Sequence, residues 1–100
     1  MIGIPLPLSW GTITTESMND QEVLLRLDIE PGQTKEGITS ITARTSLVIL
    51  SGTGEIKRKG EFTEEITDKM TVKLPFENGN YLLTNPGPDT LTILEYNLLR

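Results

Sequence analysis

Turn-forming residues recur about every ten positions along this chain, and that spacing confines it to a small set of architectures. Pro31-Gly32, Ser51-Gly52-Thr53-Gly54, Gly60, the run from Pro75 to Asn80 and Asn85-Pro86-Gly87-Pro88-Asp89 each interrupt a short aliphatic or β-branched stretch. Such punctuation indicates an all-β antiparallel sandwich or barrel. Composition agrees, with 14 Thr, 10 Ile and a single Ala. β-Branched side chains fit a pleated surface, and a chain so poor in Ala gains little from helices.

The stretches between turns read as strands. Residues 21–30 place Val23, Leu25, Leu27 and Ile29 on one face and Glu22, Leu24, Arg26, Asp28 and Glu30 on the other, a period-2 pattern with one exception. Residues 37–44 alternate Ile38, Ser40 and Thr42 with Thr39, Ile41 and Ala43, so neither face is wholly apolar, which is unusual over a dry core. Residues 45–50 form a compact apolar strand. Ser51-Gly52-Thr53-Gly54 then offers the positive-φ positions of a hairpin, with 55–59 as the returning strand. Segments 70–74, 81–84 and 90–96 complete the set. Phe62, Ile66 and Met70 lie at helical spacing within 61–71, where a short helix is the alternative.

The 100 residues suit one domain, 1–100, with 1–9 as an N-terminal arm, and the 29 Ile, Leu, Val and Phe exceed what a disordered chain carries. A net charge of −5 disfavours nucleic acid and anionic membrane surfaces as partners. The basic run Lys57-Arg58-Lys59 stands beside Glu55 and Glu61 and reads as a solvated hairpin end. Met1 to Leu8 is apolar but lacks a basic flank, is too short to span a bilayer and contains Pro5 and Pro7, so it reads as mature protein. Its even-numbered residues Ile2, Ile4, Leu6 and Leu8 form an apolar stripe suited to a homodimer interface, to which residues 2–10 would contribute. The chain contains no Cys and no His. Disulfides, thiolate nucleophiles, imidazole or thiolate metal sites and His-based triads are therefore impossible. An unstapled chain of this kind fits the cytoplasm.

Read in order, Trp10-Gly11, Pro31-Gly32, Ser51-Gly52-Thr53, Pro75, Asn85-Pro86-Gly87, Leu91 and Leu94-Glu95 resemble the small cupin fold. The resemblance is nearest to the cupin module of bifunctional mannose-6-phosphate isomerases, and it covers the chain from about Trp10 to Tyr96. It implies a double-stranded β-helix or jelly-roll barrel, frequently dimeric, whose open end holds a divalent metal. In such cupins two His and a carboxylate lie between the Pro-Gly and Ser-Gly turns, and a third His stands four residues before the Asn. The matching positions here are Ser40, Thr42, Thr45 and Tyr81, within a couple of residues for the first three. None is His, so no metal and no cofactor is expected, and metal-dependent isomerisation, dioxygen chemistry and oxalate turnover are not expected either.

The residues left at those positions can still bind. Ser40, Thr42 and Thr45 offer hydroxyls to a polar ligand or to barrel backbone. Tyr81 offers a ring and a phenol at a cavity mouth, or simply fills the space. Arg44 could clamp a carboxylate or phosphate, or be solvated. Glu77 is the acid nearest Tyr81, but one carboxylate without a positioned partner is a poor general base. Trp10 suits a barrel plug or a partner anchor. The expectation is a metal-free, non-enzymatic protein that binds a small polar ligand, sugar-like in the cupin reading, through Ser40, Thr42, Arg44, Thr45, Glu77 and Tyr81, or acts as a dimeric interaction module. The alternative is a metal-independent sugar-type isomerase or epimerase relying on Glu77 or Tyr81.

Overall fold

A computed structural model describes residues 2–40, 43–58, 61–74 and 79–99. Ten strands run in chain order: β1 Leu6–Leu8, β2 Gly11–Met18, β3 Glu22–Ile29, β4 Thr34–Thr39, β5 Ala43–Ser51, β6 Thr53–Arg58, β7 Glu64–Thr67, β8 Thr71–Lys73, β9 Gly79–Thr84 and β10 Leu91–Leu99. They form a six-stranded sheet in the order β1-β2-β3-β10-β5-β8 and a four-stranded sheet in the order β4-β9-β6-β7. Every strand pair is antiparallel. Among the described residues no helix is long and apolar enough to cross a membrane.

The core lies between the two sheets. Leu27, Ile29, Leu47, Ile49, Leu91 and Ile93 come from the larger sheet and Ile56, Ile66 and Leu83 from the smaller, all essentially without solvent exposure. Period-2 alternation produces this, because alternate residues of a strand share a face. The face read from 21–30 is the one that is packed, with Leu27 and Ile29 fully buried and Arg26 exposed. Each fully buried aliphatic side chain contributes about 1.5–3 kcal/mol relative to exposure.

Three local expectations are corrected. The Ser51-Gly52-Thr53-Gly54 turn does not make a hairpin, since β5 pairs with β10 and β8 whereas β6 pairs with β9 and β7. The turn carries the chain from one sheet to the other, pressed against the start of β10. At Gly52, φ is +94°, and a Cβ there would stand 2.8 Å from the Thr90 carbonyl oxygen. Glycine was selected for a tight turn as expected, but turn chemistry is local and does not specify the next strand's partner.

No helix forms over the described part of 61–71. Ile66 is fully buried opposite Gly54, while Phe62 is 94% exposed, so the helical spacing does not correspond to a shared face. Residues 37–44 are not one strand either. β4 ends at Thr39, Ser40 makes an isolated bridge to Ala43, and β5 begins there. The face turned inward is that of Gly37 and Thr39, both buried, and not that of Ile38, which is 72% exposed. A shift of one residue exchanges the faces of a strand.

The N-terminal segment is an edge, not a central strand. β1 pairs with β2 in the register Leu6↔Ile13 and Leu8↔Gly11, and Ile2 makes a parallel bridge to Thr15. Ile2, Ile4, Leu6 and Leu8 nevertheless remain about half exposed.

Candidate functional site

The two ends of the barrel differ in what fills them. At one end Asn85 is wholly buried, and its amide donates to the Ile29 carbonyl at 2.7 Å and the Asp89 carbonyl at 2.8 Å. Its side-chain oxygen accepts from the Gly87 amide at 2.9 Å, and its backbone bonds to Gly32 and Gln33. One side chain thus ties the end of β3, the β3–β4 turn and the β9–β10 loop together. This end is closed.

At the other end the inward stripe of β10 changes character. Leu91 and Ile93 are fully buried, but Glu95 and Asn97, next on the same face, are only partly so. Across the barrel, β9 contributes Tyr81, which is 2% exposed. Its ring lies over Gly37, its cross-strand partner on β4, where a Cβ would come within 2.1 Å of the ring. Only glycine leaves room for the phenol to reach the opposite sheet.

Four side chains then form one hydrogen-bonded series. Thr45 Oγ1 donates to Asn97 Oδ1 at 2.7 Å, and Asn97 Nδ2 donates to Glu95 Oε2 at 3.2 Å. Tyr81 Oη donates to Glu95 Oε1 at 2.8 Å. Both donors converge on one carboxylate, one per oxygen. Burial, then the Glu95 charge, then the hydrogen bond to it push the Tyr81 phenol well above its usual range, so it stays protonated.

Arg58, the cross-strand partner of Tyr81 on β6, shares its inward face. Its Nη1 pairs with Glu61 and Glu64, both at 3.2 Å, and its Nε is buried with no partner among the described residues. Lys57 and Arg58 do stand at the end of a hairpin, β6 with β7, and Lys57 is exposed as expected, but the Arg58 side chain is only 18% exposed. The remaining ion pair among the described residues joins Arg26 to Asp28.

Of the residues expected from sequence, Tyr81 and Thr45 meet in this series. Ser40 lies just beyond β4, half-buried. Arg44 is exposed and on the opposite face of β5 from Thr45, turned away from the interior. Thr42 and Glu77 lie outside the described residues. Trp10 is half-buried, packs against the core, and has the Lys35 ammonium 5.7 Å from its ring centre. Glu95 and Asn97 were missed. The signal was present: on the alternating face Leu91, Ile93, Glu95, an acid continues an apolar stripe.

A divalent metal, which the cupin fold implies, does not suit these donors. The hydroxyl protons of Tyr81 and Thr45 point at Glu95 and Asn97, and the series offers one carboxylate. Among the described residues no group of three or more acidic side chains could hold an ion.

The fold is the double-stranded β-helix of the cupin class. Similar structures include an uncharacterized conserved protein with a double-stranded β-helix domain from Klebsiella pneumoniae, TM-score 0.79 at 12% identity, covering 97% of this chain and 78% of that one. The cupin domain of Schizosaccharomyces pombe Cnp3 matches with TM-score 0.78 at 12% identity, over 89% of this chain and 64% of that one. A predicted oxalate decarboxylase from Thermotoga maritima matches with TM-score 0.75 at 17% identity, over 89% and 80%. At these identities the likeness is one of fold. No protein-family model and no curated protein sequence matches the chain.

Proposed function

We propose that this chain is a non-enzymatic cupin-type barrel that binds a small polar ligand at the open end. The observation that carries the reading is the Thr45–Asn97–Glu95–Tyr81 series. Polar side chains face inward there, Glu95 and Asn97 partly exposed and Thr45 and Tyr81 buried, next to the aliphatic core of Leu47, Leu91 and Ile93. The finer likeness to the module of mannose-6-phosphate isomerases rests on the order of turns alone and suggests a sugar-like ligand. The isomerase alternative is weaker, because a buried phenol hydrogen-bonded to a carboxylate holds its proton and makes a poor base.

A thermal-shift screen of the full chain against amines, amino acids, sugars and sugar phosphates tests the reading. A ligand at about a hundred times its Kd adds about 2.7 kcal/mol, which raises Tm by several degrees. At least one compound should do so, and Asn97→Leu, which blocks the series, should abolish the shift. Finding no stabilising compound, or a shift unaffected in Asn97→Leu, would overturn it.

A homodimer belongs to the same reading. β1 and β2 extend the six-stranded sheet beyond the four-stranded one, and Ile4, Pro5, Leu6, Ile13 and Thr15 line a groove of about 450 Å³. A half-exposed apolar stripe on a sheet edge is self-complementary under a two-fold axis. Light scattering should give a dimer mass that falls to a monomer when residues 1–9 are removed, with the strand spectrum retained. A monomer across micromolar concentrations would end the idea.

A further inference from the structure

We propose that the ligand of the open end carries a primary ammonium group, held by Glu95. This rests on the binding reading above and deepens it. The argument is a count of donors and acceptors. Thr45 and Tyr81 each have one hydroxyl proton, and both are already given, to Asn97 and Glu95. Asn97 has used one of its two N–H groups on Glu95. Among these four side chains one amide N–H is therefore the sole uncommitted donor, whereas lone pairs remain on both Glu95 oxygens and on the two hydroxyl oxygens.

A ligand entering this site must bring donors. An ammonium brings three and also a positive charge, which makes each bond to the carboxylate roughly twice as strong as a neutral one. Among the described residues no cation pairs with Glu95. Arg58 shares the inward row of Tyr81 but pairs with Glu61 and Glu64. Tyr81 and Asn97, one on each oxygen, fix the carboxylate before any ligand arrives.

The cross-strand neighbours of Glu95 favour an amine on an apolar stem. The cross-strand neighbours of Glu95 are Leu25 on β3 and Leu47 on β5, whose side chains share its inward face. Leu47 is fully buried and Leu25 packs against the core. A sugar, the ligand class that the order of turns suggests, would place hydroxyls against these leucines, so the amine is preferred to it among the polar ligands considered. A short alkyl chain would not be penalised there.

Two-dimensional NMR of the full chain titrated with propylammonium, 1-propanol, glucose and tetramethylammonium tests the proposal. Propylammonium should shift the Asn97 side-chain amide and the backbone amides of Thr45, Tyr81 and Glu95. Tetramethylammonium keeps the charge but has no N–H, and should bind at least about tenfold more weakly. Glu95→Gln, which preserves shape and removes charge, should weaken propylammonium about tenfold or more with spectral dispersion retained. If 1-propanol or glucose shifts the same signals as strongly, the ammonium assignment is wrong and the polar-ligand reading survives. If tetramethylammonium matches propylammonium, donor counting is refuted in a comparison that needs no variant. If no compound moves these signals, both proposals fail.

Discussion

The two ends of this barrel, one tied by Asn85 and the other proposed above to be open, both place polar side chains at the edge of an aliphatic core, yet they solve opposite problems. At the closed end Asn85 bonds only to backbone, and each of its side-chain polar atoms is matched by a fixed partner. At the open end Tyr81, Glu95, Asn97 and Thr45 bond to one another, and acceptor capacity is left over. A polar group satisfied by backbone is committed to the fold, because moving it exposes carbonyls and amides that have no other partner. Side chains satisfied by each other can exchange partners with a ligand. The first arrangement stabilises; the second leaves room for recognition.

This contrast is tested most severely by Asn85→Ala, which takes the side-chain partner from the buried Ile29 carbonyl, the part-buried Asp89 carbonyl and the part-buried Gly87 amide. Chemical denaturation should show a loss of about 3–5 kcal/mol, or no folded protein. A loss below about 1 kcal/mol, the scale of an ordinary hydrogen bond, would mean that the closed end is not held by this residue.

Gly37→Ala comes next, since the new methyl would meet the Tyr81 ring. The ring must move, which should cost about 2–3 kcal/mol as overpacking does and break the Tyr81–Glu95 bond. Near-ultraviolet circular dichroism of the tyrosines should change along with stability. An unchanged spectrum would show that the ring has another place to go.

Tyr81→Phe should cost only about 1 kcal/mol at neutral pH, because one hydrogen bond is lost and Glu95 is already partly exposed to water. Its clearer effect is on pH dependence. The folded chain holds the phenol proton more tightly than the unfolded chain does, so this stabilisation is complete below about pH 10 and is lost as pH rises further. The variant should lose less stability between neutral pH and strong alkali. Tyr96, whose phenol is raised by its hydrogen bond to Glu22, acts in the same direction and persists in both proteins. Identical alkaline profiles would contradict the buried phenol.

The smallest effect concerns metal. A bound ion would tie the open end as firmly as Asn85 ties the closed one, so chelation would then lower Tm. With Tyr81 and Thr45 already engaged, the chelator should leave Tm unchanged, and dialysed protein should contain well under one metal ion per chain. A stoichiometric metal that resists chelation would erase the distinction between the two ends.

Much of this was readable without coordinates. The alternation of Val23, Leu25, Leu27 and Ile29 specified an inward face, and the turns at Pro31-Gly32 and Asn85-Pro86-Gly87 bounded their strands correctly. Tyr81 was picked out by its position four residues before Asn85, through the family resemblance, as a cavity-mouth phenol or a space-filler, and its ring is buried. Where 37–44 failed, one face carried Ile38, Ser40 and Thr42 and the other Thr39, Ile41 and Ala43, so hydrophobicity could not choose between them. Gly37 decided the question, because the Tyr81 ring needs the space its missing side chain leaves.

The sequence by itself determined an all-β chain, the places where it turns, and, through the absence of His and Cys, the loss of imidazole and thiolate chemistry. These are local or compositional properties, set by backbone sterics and by which functional groups exist. Tertiary structure alone decided that β5 and β6 separate into different sheets, that Arg58 turns toward Glu61 and Glu64, and that Glu95 on β10 receives the phenol of β9. Each of those depends on which strand lies beside or across from which. Pairing between strands distant in sequence follows from how the whole set of apolar faces closes on one core, and no single segment encodes it.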